Sequence, residues 1–362
     1  MQAVTFKRWE WTHKWTSLIC TVFLLMLCIT GLPLIFHDEI DATLNPAVWE
    51  PKHPDGPYLS YDQIMTIGLA QRPNEVPIYM SFDTDRPVVN ITSGPTGDAD
   101  ATDMHFASYD LTSGELVPPA DVGESVMEFI LQLHTDMFLG LPGMLFLGFM
   151  GFLFVLATVS GVVVYRQYMR NLAFGTVRKQ KNRRLKWLDQ HNLLGITTLA
   201  WVLVVGLTGV INTLEKPILD TWRSQNLQHL LSEYQTQNST IATANASIDQ
   251  AILAAKQALP NMQLQFVAFP GSDFSTNEHY AIFMHGDSPL TKELITPLLV
   301  KASNGEIVGV SEMPWYANAL SLSRPLHFGD YGGLGLKVLW FILTLFTLWV
   351  LVTGLYLWWK KR

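Results

Sequence analysis

Long apolar runs alternate with polar segments along the whole chain. Four of these runs reach the length of about 20 residues that a helix needs to cross the hydrocarbon core of a bilayer. They lie at residues 15–36, 137–165, 193–211 and 338–359. The pattern therefore predicts an α-helical integral membrane protein with four transmembrane helices. The first run is too long for a secretory signal and no small-residue cleavage site follows it, so we interpret it as a retained span.

Two long polar segments separate the first run from the second and the third from the fourth. Each segment contains a helical pattern behind an N-cap serine, Ser60 or Ser247, and continues into alternating strands. Each ends in two short strands around a turn glycine, Gly114 or Gly305, which suits left-handed backbone. The sequence predicts that each segment is a small external α+β module, with one helix packed on an antiparallel sheet.

Charge is unevenly distributed over a chain in which charged residues make up only 15%, against about 25% in an average soluble protein. The loop at 166–187 carries eight Lys and Arg, whereas segment 37–133 holds three basic residues and seventeen acids. Segment 213–326 holds six basic residues and ten acids. Because basic loops stay on the cytoplasmic side, both termini are predicted to be cytoplasmic and both acidic segments external.

These observations divide the chain into seven predicted parts. They are the cytoplasmic N-terminus with span 1 (1–36), the first external module (37–133), span 2 (134–168), the basic cytoplasmic loop (169–188), span 3 (189–212), the second external module (213–326), and span 4 with the cytoplasmic C-terminus (327–362).

Histidine and glycine recur at equal spacings. Each apolar run ends in a Thr-Gly or Ser-Gly pair, and each has a histidine at a fixed distance before that glycine. The distance is 18 residues for His13–Gly31 and His191–Gly209, and 27 residues for His134–Gly161 and His327–Gly354. The chain therefore reads as two parallel copies of one span–loop–span repeat.

The repeat predicts where the four histidines lie. Since a helix rises about 1.5 Å per residue, eighteen residues cover about 27 Å, close to a full hydrocarbon core. His13 and His191 are therefore expected at the inner face, and His134 and His327, which precede their spans, at the outer face. A pseudo-two-fold axis along the membrane normal would place the members of each of these pairs opposite each other.

Two histidines that face each other across a helical bundle suit haem iron, which accepts two axial imidazoles. The pattern predicts two haem b groups, an inner one ligated by His13 and His191 and an outer one ligated by His134 and His327. The other interpretations, a histidine as an interfacial anchor and glycines as helix-packing residues, remain open. His37 is left between a substitute ligand, a proton-carrying group and a surface residue.

Other residues near these histidines are candidates for haem contacts. Small residues would let the macrocycle approach the backbone, aromatic residues would pack on it, and basic residues would pair with its propionates. They are Gly140, Gly143, Gly332, Gly333 and Gly335, then Phe138 and Tyr331, and finally Lys14, Arg324 and Lys337.

Other chemistry finds little support in the sequence. Cys20 and Cys28 form no C-x-x-C motif, which excludes thiolate iron–sulfur ligation and covalent haem attachment by the usual motifs. No glycine-rich nucleotide fingerprint indicates a flavin or nicotinamide site. The acidic segment 98–105, which includes His105, is either a solvated loop or a site for a hard cation.

The motifs "THKW…TG", "LHTDMFLG" and "LHFGDYGG…TGLYLWWKKR" resemble the PepSY-associated transmembrane family of bacterial inner-membrane proteins. The external segments resemble its PepSY domains, and the resemblance covers nearly the whole chain. It implies a fold of membrane spans with periplasmic PepSY modules. It also implies b-type haem bound through span histidines, as in iron-regulated membrane proteins and periplasmic ferric-siderophore reductases. Carried over by residue, the ligands are His13, His134, His191 and His327.

The expected function is a haem b membrane oxidoreductase that passes electrons from a quinol or cytosolic donor to a periplasmic acceptor, ferric iron held by a siderophore. One alternative is a transporter or permease accessory, for which Thr197, Thr198, Thr208 and Asn212 supply the polar groups near mid-span. The other is a PepSY-type sensor or peptidase regulator without redox activity. A lipid bilayer is the expected environment, and no nucleic acid partner is expected.

Overall fold

The chain forms two compact units. The computed structural model describes residues 3–44, 51–83, 86–118, 126–178, 182–234, 246–288, 291–292 and 294–360. The unit that we call the helical unit comprises Met1–Pro46, Gly123–Lys216 and Leu322–Arg362, and the unit that we call the sheet unit comprises Ala47–Val122 and Pro217–Ser321.

The described residues contain twelve α-helices and eight strands. The helices are α1 (Ala3–Leu34), α2 (His37–Leu44), α3 (Tyr61–Ala70), α4 (Val126–Thr135), α5 (Leu141–Met169), α6 (Arg183–Thr197), α7 (Leu199–Thr213), α8 (Glu215–Trp222), α9 (Gln228–Tyr234), α10 (Ile248–Ala258), α11 (Trp315–Phe328) and α12 (Gly333–Trp359). The strands are β1 (Val76–Phe82), β2 (Val88–Gly94), β3 (His105–Asp110), β4 (Leu116–Val117), β5 (Met262–Ala268), β6 (His279–Gly286), β7 (Ile295–Lys301) and β8 (Ile307–Val310).

Apolar helices of membrane-crossing length dominate the helical unit. By length and composition, three regions among the described residues qualify, Val4–Leu34, Leu141–Met169 and Asp330–Trp359. The bent pair α6 and α7 adds a fourth if it counts as one span. The chain thus has three or four helices that could span a membrane, in agreement with the apolar runs.

The third predicted span is not one straight helix. Helices α6 and α7 meet at an angle of 67° across Thr198. The hydroxyl groups of Thr197 and Thr198 donate hydrogen bonds to the carbonyls of Leu193 at 3.0 Å and Leu194 at 2.8 Å. Threonine hydroxyls bonded to carbonyls four residues earlier favour bending of a helix, because they compete with its backbone ladder. The apolar run alone did not reveal this break.

Close helix packing explains two of the small residues of α5. A Cβ atom placed on Gly148 would lie 2.2 Å from the Thr213 hydroxyl oxygen of α7, and one on Gly151 would lie 3.2 Å from a Val210 methyl group. Small residues let apolar helices approach at such distances. Gly148 is therefore a packing residue.

All eight strands belong to one antiparallel sheet, with the order β4-β3-β2-β1-β5-β6-β7-β8. The sequence predicts a separate sheet in each external segment, but the structure joins the two sets of four strands through β1 and β5. Tyr79 pairs with Ala268 and Ser81 with Phe266 in that junction. The pairing removes two strand edges whose backbone groups would otherwise be free to recruit other strands.

Helices cover both faces of the second half of this sheet. Neighbouring residues of β6 face different cores. Ile282 packs in the core with α3 and α10, whereas Phe283 packs in a second core with α9 and α11. Successive side chains of a strand point to opposite faces, so a strand buried on both sides reads as a continuous apolar run. Every residue of β6 is buried accordingly.

The local signals read from the sequence are confirmed in this unit. Ser60 and Ser247 each cap a helix, α3 and α10, in a full capping box. Gly114 and Gly305 both adopt φ of +75°, the left-handed conformation that their turns require. The conformations at these four positions depend on neighbouring residues alone, so they could be predicted from the sequence.

Two aspartates cap each other's helices at the N-termini of α3 and α10. The Asp249 carboxylate accepts the N–H groups of Tyr61 at 3.1 Å and Asp62 at 3.0 Å. The Asp62 carboxylate accepts the N–H groups of Ile248 at 3.0 Å and Asp249 at 3.4 Å. Burial raises the pKa of Asp62, but its hydrogen bonds with Asp249 and Ile248 outweigh burial and hold that pKa below its usual value.

Replacing Asp62 by alanine is expected to destabilise the protein by about 1–2 kcal/mol, because two backbone donors at the start of α10 lose their acceptor. The matched control is Asp98→Ala, since Asp98 is exposed and its loss should change stability by less than about 0.5 kcal/mol. Thermal unfolding followed by circular dichroism would measure both. Equal melting temperatures for the two variants would contradict the capping role of Asp62.

The lowered pKa of Asp62 also sets the sign of a pH effect. A carboxyl group with a depressed folded-state pKa contributes stability above its unfolded pKa, about 3.9 for Asp, and that contribution disappears as the pH falls through the folded-state value. The stability difference between the wild type and Asp62→Ala should therefore shrink in acid and persist at neutral pH.

Candidate functional site

Four histidines of the helical unit meet in two pairs. The rings of His13 on α1 and His191 on α6, the first pair, have centres 6.3 Å apart and planes at 68°. The rings of His134 on α4 and His327 on α11, the second pair, have centres 6.4 Å apart and planes at 64°. These are the pairings that the equal spacings predict.

Each imidazole is held through its Nδ1 atom by a backbone carbonyl of a neighbouring helix. The distances from Nδ1 to the carbonyl oxygen are 2.8 Å for His13 and Ala157, 3.0 Å for His191 and Val350, and 3.0 Å for His327 and Val205. For His134, the backbone partner is Leu27, and the atom at hydrogen-bond distance from Nδ1 is the Thr30 hydroxyl oxygen at 2.8 Å. In all four cases the carbonyl belongs to the residue four positions before the glycine that ends an apolar run.

That glycine forms the surface on which the imidazole lies. The distances from a Cβ atom placed on it to Cε1 of the facing imidazole are 3.3 Å for Gly31 and His134, 3.0 Å for Gly161 and His13, 3.1 Å for Gly209 and His327, and 3.3 Å for Gly354 and His191. Because a helical side chain covers the turn before its own Cα, glycine leaves the carbonyl of that turn open to the imidazole.

The residue before the glycine supplies a hydroxyl group. The hydroxyl oxygens of Thr30, Thr208 and Thr353 lie 2.8 Å, 3.3 Å and 3.1 Å from Nδ1 of the facing histidine. Ser160 differs, since its hydroxyl donates to the carbonyls of Leu156 and Ala157 of its own helix. We call the glycine, the hydroxyl residue before it and the carbonyl four residues before it an imidazole cradle.

Sequence reasoning missed the cradles. It used the Thr-Gly and Ser-Gly pairs only as the ends of the apolar runs, whereas the structure places the glycine of each pair against a histidine from another helix. The signal was present, because the same dipeptide closes all four histidine-to-glycine spacings. Its role becomes clear only when the neighbouring helices are known, and the sequence does not reveal which helices are neighbours.

The cradles determine which ring nitrogen is available. A neutral imidazole carries one proton, and a carbonyl can only accept, so the proton lies on Nδ1 in His13, His191 and His327. In His134, the Thr30 hydroxyl near Nδ1 donates its own proton to the Met26 carbonyl, so its oxygen is left to accept from Nδ1. Nε2 is then an unprotonated nitrogen with a free lone pair. This is the arrangement of metal-ligating histidines, whose other nitrogen donates to a carbonyl that fixes the tautomer and the ring orientation.

The separation within each pair fits one metal between two imidazoles. With metal–nitrogen bonds of about 2.0–2.1 Å and about 1.1 Å from each nitrogen to its ring centre, two opposed imidazoles have ring centres about 6.3 Å apart. The measured separations are 6.3 Å and 6.4 Å. Opposed imidazoles can rotate about the shared axis, so planes at 68° and 64° are compatible with this geometry.

A bare metal ion would need more protein ligands than these pairs supply. Among the described residues, no group of three or more His, Cys, Asp or Glu could hold an ion, and the acidic segment 98–105 is no exception. Two imidazoles per site instead suit a metal that brings its other ligands with it, as haem iron does in a helical bundle. The residues present therefore fit haem.

A cavity of about 710 Å³ surrounds the first pair. Its volume falls within the range of about 300–1,000 Å³ that is usual for cofactor and ligand pockets. Lys14, predicted as a propionate partner, lines it together with Arg184, which the sequence analysis did not single out. Asn192 also lines it, and its buried side-chain nitrogen has no hydrogen-bond partner among the described residues. The cavity lining thus includes two basic side chains, Lys14 and Arg184, and one acidic side chain, Glu10.

The other predicted propionate partners bond with protein carboxylates. Arg324 forms an ion pair with Glu215. Lys337, whose side chain is only 7% exposed, lies 3.3 Å from Asp38 and 2.9 Å from Glu39. The hydrogen bond from Lys337 lowers the pKa of the Glu39 carboxyl group. These acids lie far from the lysine and arginine in sequence, so only the fold reveals them.

Replacing Asp38 and Glu39 together by alanine is expected to cost about 3 kcal/mol, because the buried Lys337 ammonium group loses its partners. The matched variant Lys337→Met should change stability by less than about 1 kcal/mol, since the carboxylates that lose the ammonium group are half-exposed and Asp38 keeps His37 as a neighbour. Thermal unfolding in detergent compares them. A larger loss in Lys337→Met would show that the ammonium group is not the buried partner.

The remaining candidates among the aromatic residues and histidines have local partners. His37 is half-exposed, and both of its ring nitrogens are engaged, with Asp38 and with the Leu34 carbonyl. Phe138 packs on Phe129, with ring centres 5.0 Å apart, and Tyr331 packs on Trp340 at 6.2 Å. The structure therefore favours the surface interpretation of His37.

The glycines that precede the spans shape the backbone. Gly140 and Gly333 open α5 and α12 with φ of +62° and +65° and extended ψ, a conformation that only glycine adopts readily. A Cβ atom on Gly143 would lie 1.9 Å from the Asp136 carbonyl oxygen, and one on Gly332 would lie 2.8 Å from a methyl group of Leu336. Gly335 faces open space. Turn geometry explains four of these glycines without any ligand.

Comparison with known proteins places the chain in a family. The family model described as "PepSY-associated TM region" matches residues 10–361, so the chain belongs to that family. It is also similar to an uncharacterised protein of Pseudomonas aeruginosa, with 32% identity over 88 residues. That similarity covers 24% of this chain and 22% of the relative, so it spans about a fifth of the relative's length.

Proposed function

We propose that this membrane protein is a haem b oxidoreductase that carries electrons across the bacterial inner membrane to a periplasmic acceptor. One observation carries the proposal: two histidine pairs, each with ring centres at the separation of opposed axial ligands and each with Nδ1 engaged by a carbonyl. Membership of the PepSY-associated family is consistent with it.

The chain's own residues would bind and orient the cofactor. His13 and His191 would ligate one haem, and His134 and His327 the other. The cradles fix each ring so that Nε2 needs no reorientation on binding, and Lys14 lines the first cavity where an anionic propionate could pair with it. When bound, haem supplies reversible one-electron transfer, and its potential is set by these axial ligands and their hydrogen bonds.

The positions of the basic residues support a direction. Both termini and the basic loop would be cytoplasmic, which puts the first pair on the inner side and the second pair on the outer side. A quinol or a cytosolic protein would be the donor. A ferric siderophore is the proposed acceptor, because reduction to the softer ferrous ion weakens the hold of hard oxygen ligands.

The alternative of a transporter accessory depends on polar groups near mid-span, and these groups have partners in the structure. The hydroxyls of Thr197 and Thr198 bond to carbonyls of their own helix, and Asn212 accepts a hydrogen bond from Ser323. They are committed to helix geometry and packing. The redox proposal instead uses the Nε2 nitrogens of the four histidines, which take no part in the hydrogen bonds of the cradles.

The decisive experiment is an absorption spectrum of the protein purified in detergent from haem-replete cells. We expect a reducible Soret band and α band, with two non-covalently bound haems per chain by pyridine haemochrome assay. Stopped-flow mixing of the reduced protein with a ferric siderophore should then reoxidise it, with a ferric-free siderophore as the control. A folded but colourless protein would refute the redox proposal. A haem-loaded protein that a ferric siderophore does not reoxidise would refute the proposed acceptor alone.

A further inference from the structure

The three cradles that contain threonine differ from the one that contains serine. In the first pair, His191 has a second acceptor for its Nδ1–H, because the Thr353 hydroxyl oxygen lies 3.1 Å away. His13 has the Ala157 carbonyl at 2.8 Å, and the Ser160 hydroxyl points to its own helix instead. In the second pair, both histidines have a hydroxyl neighbour, Thr30 and Thr208.

The hydroxyl proton is already used in each of these threonines. The Thr353 hydroxyl donates to the Val350 carbonyl at 2.9 Å, and that of Thr30 donates to the Met26 carbonyl at 2.8 Å. The same holds for Thr208 and the Val204 carbonyl at 2.7 Å. The oxygen lone pairs are therefore left to accept from the imidazole, so each of these Nδ1–H groups is shared between a carbonyl and a hydroxyl.

We infer that Thr30, Thr208 and Thr353 are positioning residues that tune the electron-donor strength of the axial histidines, and that Ser160 is not. The inference rests on the proposed function. A group that accepts a hydrogen bond from Nδ1–H makes the imidazole a more basic ligand. A more basic ligand favours ferric over ferrous iron, so each hydroxyl contact lowers the reduction potential of its haem.

The first pair allows a test on one and the same haem. Thr353→Val removes a hydroxyl that contacts the imidazole, whereas Ser160→Ala removes one that does not. Both variants also lose a hydrogen bond to a carbonyl of their own helix, Val350 or Ala157, so this background effect is common to them. Thr353→Ser keeps the hydroxyl and is the conservative variant.

Redox titration of the purified protein, followed in the α band, measures the effect without an activity assay. Thr353→Val is expected to lower the preference of the site for ferric over ferrous iron about threefold to tenfold. For a one-electron couple, this raises the reduction potential of that haem by about 30–60 mV. Ser160→Ala and Thr353→Ser should stay at the wild-type potential. Thr30→Val and Thr208→Val should each raise the other haem's potential, and their effects should add.

The outcomes separate this inference from the proposed function. A wild type with two haems in which Thr353→Val titrates like Ser160→Ala would overturn the inference and leave the proposed function intact. A wild type without haem would overturn both. If Thr353→Val loses its haem altogether, the test passes to the second haem and the variants Thr30→Val and Thr208→Val. Unchanged potentials in these two variants would overturn the inference, and raised potentials would support it.

Discussion

Replacing His13 by alanine is expected to remove one of the two haems and leave the other in place. In the proposed function, His13 would supply one of the two protein ligands of the first site, and the remaining imidazole of His191 would hold the iron from one side. His327→Ala should remove the other haem in the same way, because no histidine is shared between the pairs. Haem content per chain should fall from two to one in each variant, as measured by pyridine haemochrome absorbance against protein concentration.

His37→Ala is the matched control for these variants. His37 is also a histidine of the helical unit, but both of its ring nitrogens have partners other than the paired histidines. It should keep two haems per chain. Full haem content in His13→Ala would show that the first pair is not the ligand set, and the loss of both haems in one variant would show that the sites do not fill independently.

Replacing Gly161 by valine is expected to empty the first site almost as completely as removing its histidine. Even a Cβ atom at Gly161 would lie 3.0 Å from Cε1 of His13, and the methyl groups of valine would occupy the position of the ring. The imidazole would have to leave the Ala157 carbonyl, and with it the position of Nε2. We expect the haem content to fall to about one per chain, with the potential of the remaining haem unchanged in a redox titration.

Gly335→Val serves as the control for the first site, because a Cβ atom at Gly335 meets no other atom within 4 Å. Gly161→Ala should be intermediate, since the ring needs to shift by only a few tenths of an ångström. If Gly161→Val binds both haems like Gly335→Val does, the cradle glycine is a packing residue and not a determinant of the histidine's position.

Local and periodic features of this protein could be predicted from its sequence. The capping serines Ser60 and Ser247 and the turn glycines Gly114 and Gly305 depend on a few neighbouring residues, and all four are found as expected. The histidine pairs were predictable for a different reason. The matched spacings mark the four histidines as equivalent positions, although only the spacing from His13 to Gly31 runs along one unbroken helix.

Features that depend on distant partners could not be predicted. The pattern of a strand reveals its faces but not its neighbours, so the pairing of β1 with β5 is invisible in the sequence. The sequence predicted Lys337 as a propionate partner, but its partners Asp38 and Glu39 lie at the other end of the chain. The cradles combine a predictable and an unpredictable feature. The Thr-Gly or Ser-Gly pair can be found in the sequence, but the histidine that contacts it cannot.

The single shared sheet has a consequence for how the protein is made. Strand β1 pairs with β5 across the sequence of α5, α6 and α7, which must be synthesised before β5 exists. Until then, the inner edge of β1 is an unpaired strand edge on a growing chain, open to other strands. Completion of this domain therefore has to wait until the helices between its two halves have been synthesised.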